Sequence, residues 1–181
     1  RALGLVLDYD WINRNNFYSQ YQPLGSYFPN SDLSATGKPS AEELKILEPY
    51  RNDLPPEVFG VPWAPPLSGS QAAMRENFIQ ADKFLREAGW VIKDNIRINE
   101  KSGDPLRFEI LIGTASDEKI ALAFKRNLAR LGITVTLRTL DAAAFQDRLM
   151  NYDYDITLYW WLNTLSPGTE QTLYWGCAAA D

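Results

Sequence analysis

Apolar and polar residues change period along this chain, and each change predicts an element. In "RALGLVLDYDWINRNNFYSQY", Leu3, Val6 and Leu7 fall on one helical face. Asp8 then reads as the N-cap of a second helix carrying Trp11, Ile12 and Tyr18. Residues 23–39 lose all periodicity and are rich in Gly, Pro, Ser and Asn, which predicts a loop. Ser40 with Glu43 three residues later is a capping box, and its short helix should stop near Pro49. Residues 54–70 hold repeated prolines and are expected to be irregular. A helix is predicted over 71–88, with Met74, Phe78, Ala81, Leu85 and Ala88 sharing a face and Gly89 just past its end. "VIKDNIRIN" reads as a hairpin turning at Asp94-Asn95.

From residue 106 the order becomes regular. Strands are predicted at 106–112, 133–139 and 155–161, and helices at 116–131 and 141–151, capped by Ser116 and Asp141. Strand–helix–strand–helix–strand implies right-handed crossovers and a largely parallel sheet, hence an α/β fold. The expected core is Phe78, Leu85, Phe108, Ile110, Phe124, Leu128, Val135, Leu137, Phe145, Leu149, Ile156 and Leu158. The last strand poses a puzzle. Ile156, Leu158 and Trp160 alternate with Thr157, Tyr159 and Trp161, and then the chain turns polar through Asn163, Ser166, Pro167 and Gly168. Neighbouring strand residues point to opposite faces, so one of the two tryptophans must look for a partner outside a single core layer.

Composition narrows the chemistry. The 181 residues are 45% hydrophobic and 23% charged, a globular balance, with a formal net charge of −5. No basic run offers the positive footprint that nucleic acid requires. The absence of histidine removes the commonest general base and metal ligand. Cys177, the one cysteine, cannot form an internal disulfide. Asp153 and Asp155 in "NYDYD" read as a solvated helix-to-strand turn before they read as a catalytic pair. No catalytic residue, metal ligand or cofactor is assigned. No apolar run approaches the roughly 20 residues needed to span a bilayer. The chain opens without Met and ends on "CAAAD", so a fragment of a longer protein is expected.

Aromatic residues are the unusual feature. Trp11, Phe17, Tyr18, Tyr21, Tyr27, Phe28, Trp63, Trp160, Trp161, Tyr174 and Trp175 gather in loops and at element ends. Core packing accounts for about half, and the rest suit a binding surface, since an aromatic brings large area with few rotamers to freeze. Open α/β sheets bind at the carboxyl ends of their strands, where "WWLNTLSPGTEQ" falls.

The ordered set "RALGLVLDYDWI", "ADKFLREAGW", "SGDPLRFEILI", "LARLGITVTLRTLD", "FQDRLMNYDYDITLYWW" and "SPGTEQ" resembles the family 5 extracellular solute-binding proteins, the peptide receptors of ABC importers. "SYFPNSDLSATGKPSAEELKILEPYR" and "SPGTEQTLYWG" are similar to the branch importing oligopeptides and the peptide antibiotic microcin C. The resemblance implies a two-lobe, periplasmic-binding-protein-like fold closing on a peptide. Residues 1–181 would be most of its carboxyl-terminal lobe, with 23–70 as an irregular insert bearing a short helix. It implies an oligopeptide ligand, ABC permease subunits and a missing amino-terminal lobe as partners, no nucleic acid, no enzymatic activity, and a periplasmic or membrane-anchored extracellular location. Trp160 falls at the family's cleft tryptophan. Aligning on Pro167 puts Asn163 where many members carry an aspartate that pairs with the peptide's amino group. An amide supplies no charge, so Glu170 or the missing lobe is expected to provide the anion. Trp160, Trp161, Asn163 and Glu170 are therefore the expected ligand-binding residues. The readings beside this one are a receptor for a sugar or other small solute, and a hydrolase using Asp153, Asp155 or Glu170.

Overall fold

The computed structural model describes residues 1–35, 37–60, 64–162 and 164–179. In chain order the regular elements are α1 (Ala2–Leu5), α2 (Tyr9–Phe17), α3 (Ala41–Leu47), α4 (Gln71–Glu87), β1 (Trp90–Lys93) and β2 (Ile96–Asn99). There follow β3 (Arg107–Ile112), α5 (Ala115–Arg130), β4 (Thr134–Thr139), α6 (Ala142–Met150), β5 (Ile156–Thr157) and α7 (Glu170–Trp175). The chain divides into two compact units. One comprises Arg1–Tyr21 and Pro66–Tyr159, the other Gln22–Pro65 and Trp160–Asp181.

The first unit is an α/β layer structure. Its three-stranded sheet has the order β4-β3-β5, and both pairings are parallel, as the crossover pattern requires. Its core is aliphatic: Val6, Ala81, Leu85, Ile110, Ile112, Ala121, Leu128, Leu131, Ile133 and Val135 are all buried together. Of the expected core, Leu85, Ile110, Leu128 and Val135 are in this cluster. Phe78, Phe108, Phe124, Leu137, Ile156 and Leu158 pack on its margin, partly exposed. Phe145 and Leu149 are half-buried, and the Phe145 ring closes over Gly113, where a Cβ would come 3.1 Å from its carbons.

Local chemistry explains each boundary. Asp8 accepts from the Trp11 N–H and starts α2. The helix ends earlier than its stripe suggested: Tyr18 takes the left-handed C-cap conformation at φ 52° and stands exposed, outside the packed face. Ser70 and Asp141 cap α4 and α6 by the same kind of bond. For α5 the cap is Thr114 in place of Ser116. Thr114 is extended and accepts from the Asp117 N–H, which draws Ser116 into the first turn.

Asp94 and Asn95, both at positive φ, make the two-residue turn between antiparallel β1 and β2. The hairpin is anchored by a charge taken fully inside. The buried Arg97 guanidinium donates to Asp82 (2.7 Å), to the Leu131 carbonyl (2.9 Å) and to the Trp90 carbonyl (3.2 Å). Burial alone would raise the Asp82 carboxyl, but the hydrogen bonds and charges of Arg86 and Arg97 outweigh it and hold it below its ordinary range. Gly132, at φ +76°, lies against this hairpin; any Cβ there would come 2.9 Å from the Arg97 nitrogen.

The third sheet strand is far shorter than the expected 155–161. Register is the reason. Ile156 pairs with Ile110 and Thr157 with Leu111, so β5 enters opposite the end of β3. Beyond Ile112, β3 gives way to Gly113 and α5, and residues after Leu158 have no ladder to join. Trp160 and Trp161 are therefore not strand residues.

The second unit contains α3, α7 and short 3₁₀ turns at Glu48–Tyr50, Pro56–Phe59 and Cys177–Ala179. The Ser40–Glu43 capping box forms in both directions, and α3 stops at Leu47, two residues before Pro49. Residues 23–35 and 37–39 carry no helix or strand, as their composition predicts.

Candidate functional site

All four expected ligand-binding residues follow β5, and the described ones, Trp160, Trp161 and Glu170, lie in the second unit. Trp160 and Trp161 are 58% and 49% exposed, so neither belongs to a core layer. Trp161 is the organised one. Its ring meets Tyr174 edge-on at 4.8 Å and Trp175 at 5.0 Å, both on α7. Trp175 in turn packs edge-on against Tyr27 at 5.2 Å, and Tyr27 neighbours Phe28. Three pieces of the chain thus share one aromatic cluster through centroid spacings in the favourable range. Beside it opens a hollow of about 420 Å³, lined by Tyr27, Phe28, Gln171, Thr172, Trp175 and Gly176.

Glu170 opens α7 and turns its carboxylate back on the preceding loop. Oε1 accepts from the Gly168 N–H at 2.9 Å and lies 3.4 Å from the Thr164 hydroxyl, which itself donates to the Ser166 carbonyl. The Gly168 N–H, and after it the backbone N–H of Glu170, hold this carboxyl below the ordinary carboxylate range. The Glu170 carboxyl is therefore ionised at neutral pH, and it fixes the Ser166–Gly168 turn. A Cβ at Gly168 would meet Oε2 at 2.7 Å, so the carboxylate would have to swing aside to admit one. Asn163 lies outside the described residues. The sequence placed Trp160, Trp161 and Glu170 in one segment; the structure brings Trp161 to α7 and engages Glu170 within its loop. The share of Tyr27, Phe28 and Trp175 in the hollow had only one signal, the density of aromatics outside regular elements.

Asp153 and Asp155 serve the first unit's architecture. Asp155 accepts from the Glu109 N–H at 2.8 Å, and Asp153 pairs with Arg148 at 2.9 Å. Glu109 in turn pairs with Arg148 (2.7 Å) and Arg138 (3.2 Å), a ladder of charges tying the α6–β5 turn to the sheet.

Residues 1–180 match the middle region of the bacterial extracellular solute-binding proteins, family 5. The chain belongs to this family. It is 40% identical over 180 residues to the uncharacterized protein y4wM of Sinorhizobium fredii, covering 99% of this chain and 27% of that protein. It is 36% identical over 181 residues to the probable peptide-binding protein YejA of Agrobacterium fabrum, covering 100% of this chain and 30% of that protein. The chain therefore spans under a third of the length of these relatives. Among solved structures, the oligopeptide-binding protein AppA from Bacillus subtilis, in complex with a nonapeptide, superposes with a TM-score of 0.62 at 18% identity. That match covers 94% of this chain and 29% of AppA, and it shows the shared fold. This family 5 chain thus has the α/β architecture of a substrate-binding protein.

Proposed function

We propose that this chain forms most of the carboxyl-terminal lobe of a two-lobe receptor that captures oligopeptides or peptide-like compounds and delivers them to the membrane permease of an ABC importer. In this reading residues 160–170 form one wall of the interlobe cleft, with Trp160 or Trp161, Asn163 and Glu170 within reach of ligand. The amino-terminal lobe supplies the other wall, and the receptor works in the periplasm or anchored outside the membrane. The carrying observation is the family match along residues 1–180. The exposed tryptophans, and an ionised Glu170 among loop N–H groups, support the choice of wall. Exposed aromatics supply apolar area with few rotamers to freeze, and the few polar groups beside them set orientation.

The test is calorimetric titration of the full-length protein with short oligopeptides, beside mass spectrometry of whatever co-purifies. Asn163→Ala should weaken peptide binding by about 0.5–1.5 kcal/mol, the range for one neutral hydrogen bond. Trp→Ala at the ligand-facing tryptophan should cost more, because it also removes buried area. Equal affinity of wild type and both variants removes residues 160–170 from the ligand wall. A co-purifying sugar in place of peptide transfers the site to another solute class, and turnover of the probe marks an enzyme.

A further inference from the structure

The first unit contains a cleft of about 870 Å³ that the peptide reading does not use. Four arginines line it: Arg14 from α2, Arg75 from α4, and Arg126 and Arg130 from α5. The other lining residues include one carboxylate, Asp8, and its Oδ1 is committed to the Trp11 N–H as the cap of α2. Elsewhere in the unit Arg107 also makes no ion pair among the described residues, but four arginines are paired. Arg86, Arg97, Arg138 and Arg148 each pair with an aspartate or glutamate. Among the described residues, none of the four cleft arginines makes an ion pair. Arg126 and Arg130 lie over the rings of Trp11 (5.1 Å) and Phe78 (3.9 Å), which position the guanidinium planes without neutralising them.

A chain of net charge −5 has carboxylates to spare, yet three helices bring like charges to one void. Arg126 and Arg130 are also four apart on α5, a spacing at which like charges repel. An anion in the cleft would relieve that repulsion, and guanidinium forks match phosphate and carboxylate geometry two bonds at a time. Ser70, the cap of the 17-residue α4, also lines the cleft, so the positive end of that helix adds to the same field. The volume suits a small molecule and exceeds the need of a lone ion, since ligand pockets run to about 300–1,000 Å³.

We infer that this cleft is a binding site for a multiply charged small oxyanion, phosphorylated or polycarboxylate, separate from residues 160–170 and independent of what those residues bind. The full-length protein is titrated calorimetrically at low ionic strength with two probes, pyrophosphate and citrate. Saturable binding of one probe supports the site, and which probe binds identifies the oxyanion chemistry. The double variant Arg126→Gln/Arg130→Gln should weaken that binding about tenfold or more, by removing two charge-assisted forks. Arg86→Gln, which alters a paired arginine outside the cleft, and Trp161→Ala should leave it unchanged. Where the double variant fails to fold, Arg14→Gln and Arg75→Gln, both exposed in the structure, should each weaken binding severalfold. Three results overturn the site: neither probe binds, probe affinity is equal in wild type and variants, or Arg126 and Arg130 resist phenylglyoxal in the ligand-free protein. The last result would mean that the remainder of the full-length chain fills the cleft.

Discussion

The two units differ in what holds them. Every fully buried residue among those described lies in the first unit, from Val6 and Ile12 through the sheet to Val135. The second unit is assembled from short helices, of which α3 carries a capping box, turns locked by side-chain hydrogen bonds, and rings meeting edge-on, with its large apolar groups left partly open: Tyr27, Trp160, Trp161, Leu162, Leu165 and Leu173. Burial of aliphatic surface is what gives a domain a cooperative core. A unit without it keeps its side chains available for contact, as binding surfaces carried on a scaffold do. The same division runs through the charges: the ladder Arg138–Glu109–Arg148–Asp153 knits the first unit together, whereas Glu170 in the second shapes only its own loop.

The contrast is most exposed to a pair of truncations in the full-length protein. Ile110→Ala empties a fully buried site and should destabilise by about 2–5 kcal/mol in urea denaturation. Trp161→Ala removes a larger side chain from a half-exposed position and should cost less than Ile110→Ala. A reversed order would show that the aromatic cluster is a core in its own right. Gly132→Ala comes next. It forces a Cβ into a left-handed position and against the Arg97 backbone, and should cost about 1–3 kcal/mol, read as a lowered Tm. Ser40→Ala removes one half of the α3 capping box and should cost about 1 kcal/mol of local stability. Hydrogen exchange should show faster opening of α3 amides with those of α4 and α5 unaffected.

The smallest effect is a pH dependence. Asp82 has its folded pKa depressed, so its contribution is fully present above its ordinary value near 3.8. That contribution fades as pH falls through that value and on through the lower folded one. Asp82→Asn should flatten this part of the stability-against-pH curve, measured by denaturation at several acidic pH values, and should leave α3 exchange unchanged.

Much of the first unit was legible because its information is local. The alternation in "LRFEILIG", the helical stripe from Ile120 to Leu131 and the turn residues Asp94-Asn95 each specify an element from neighbours along the chain. Three boundaries were not local. The α5 cap depends on where β3 stops, so Thr114 displaced Ser116. Tyr18 left its helix because the chain caps in the left-handed region there. The run 155–161 has the pattern of a full strand, but a strand also needs a partner, and the register with β3 leaves one only as far as Thr157.

The candidate sites divide the same way. That tryptophans, an acid and a Pro-Gly turn stand together between Trp160 and Glu170 is written in the sequence, and so is the family to which their order points. Composition and periodicity also sufficed for the α/β class, since a hydrophobic period is a property of the chain itself. Tertiary structure alone decided that Trp161 shares a cluster with Tyr27 and Trp175, and that Glu170 folds onto Gly168. It alone gathered Arg14, Arg75, Arg126 and Arg130, spread over more than a hundred residues, around one cleft. Ring packing, carboxylate pairing and charge convergence act through space over a few ångströms, and sequence separation does not encode those distances.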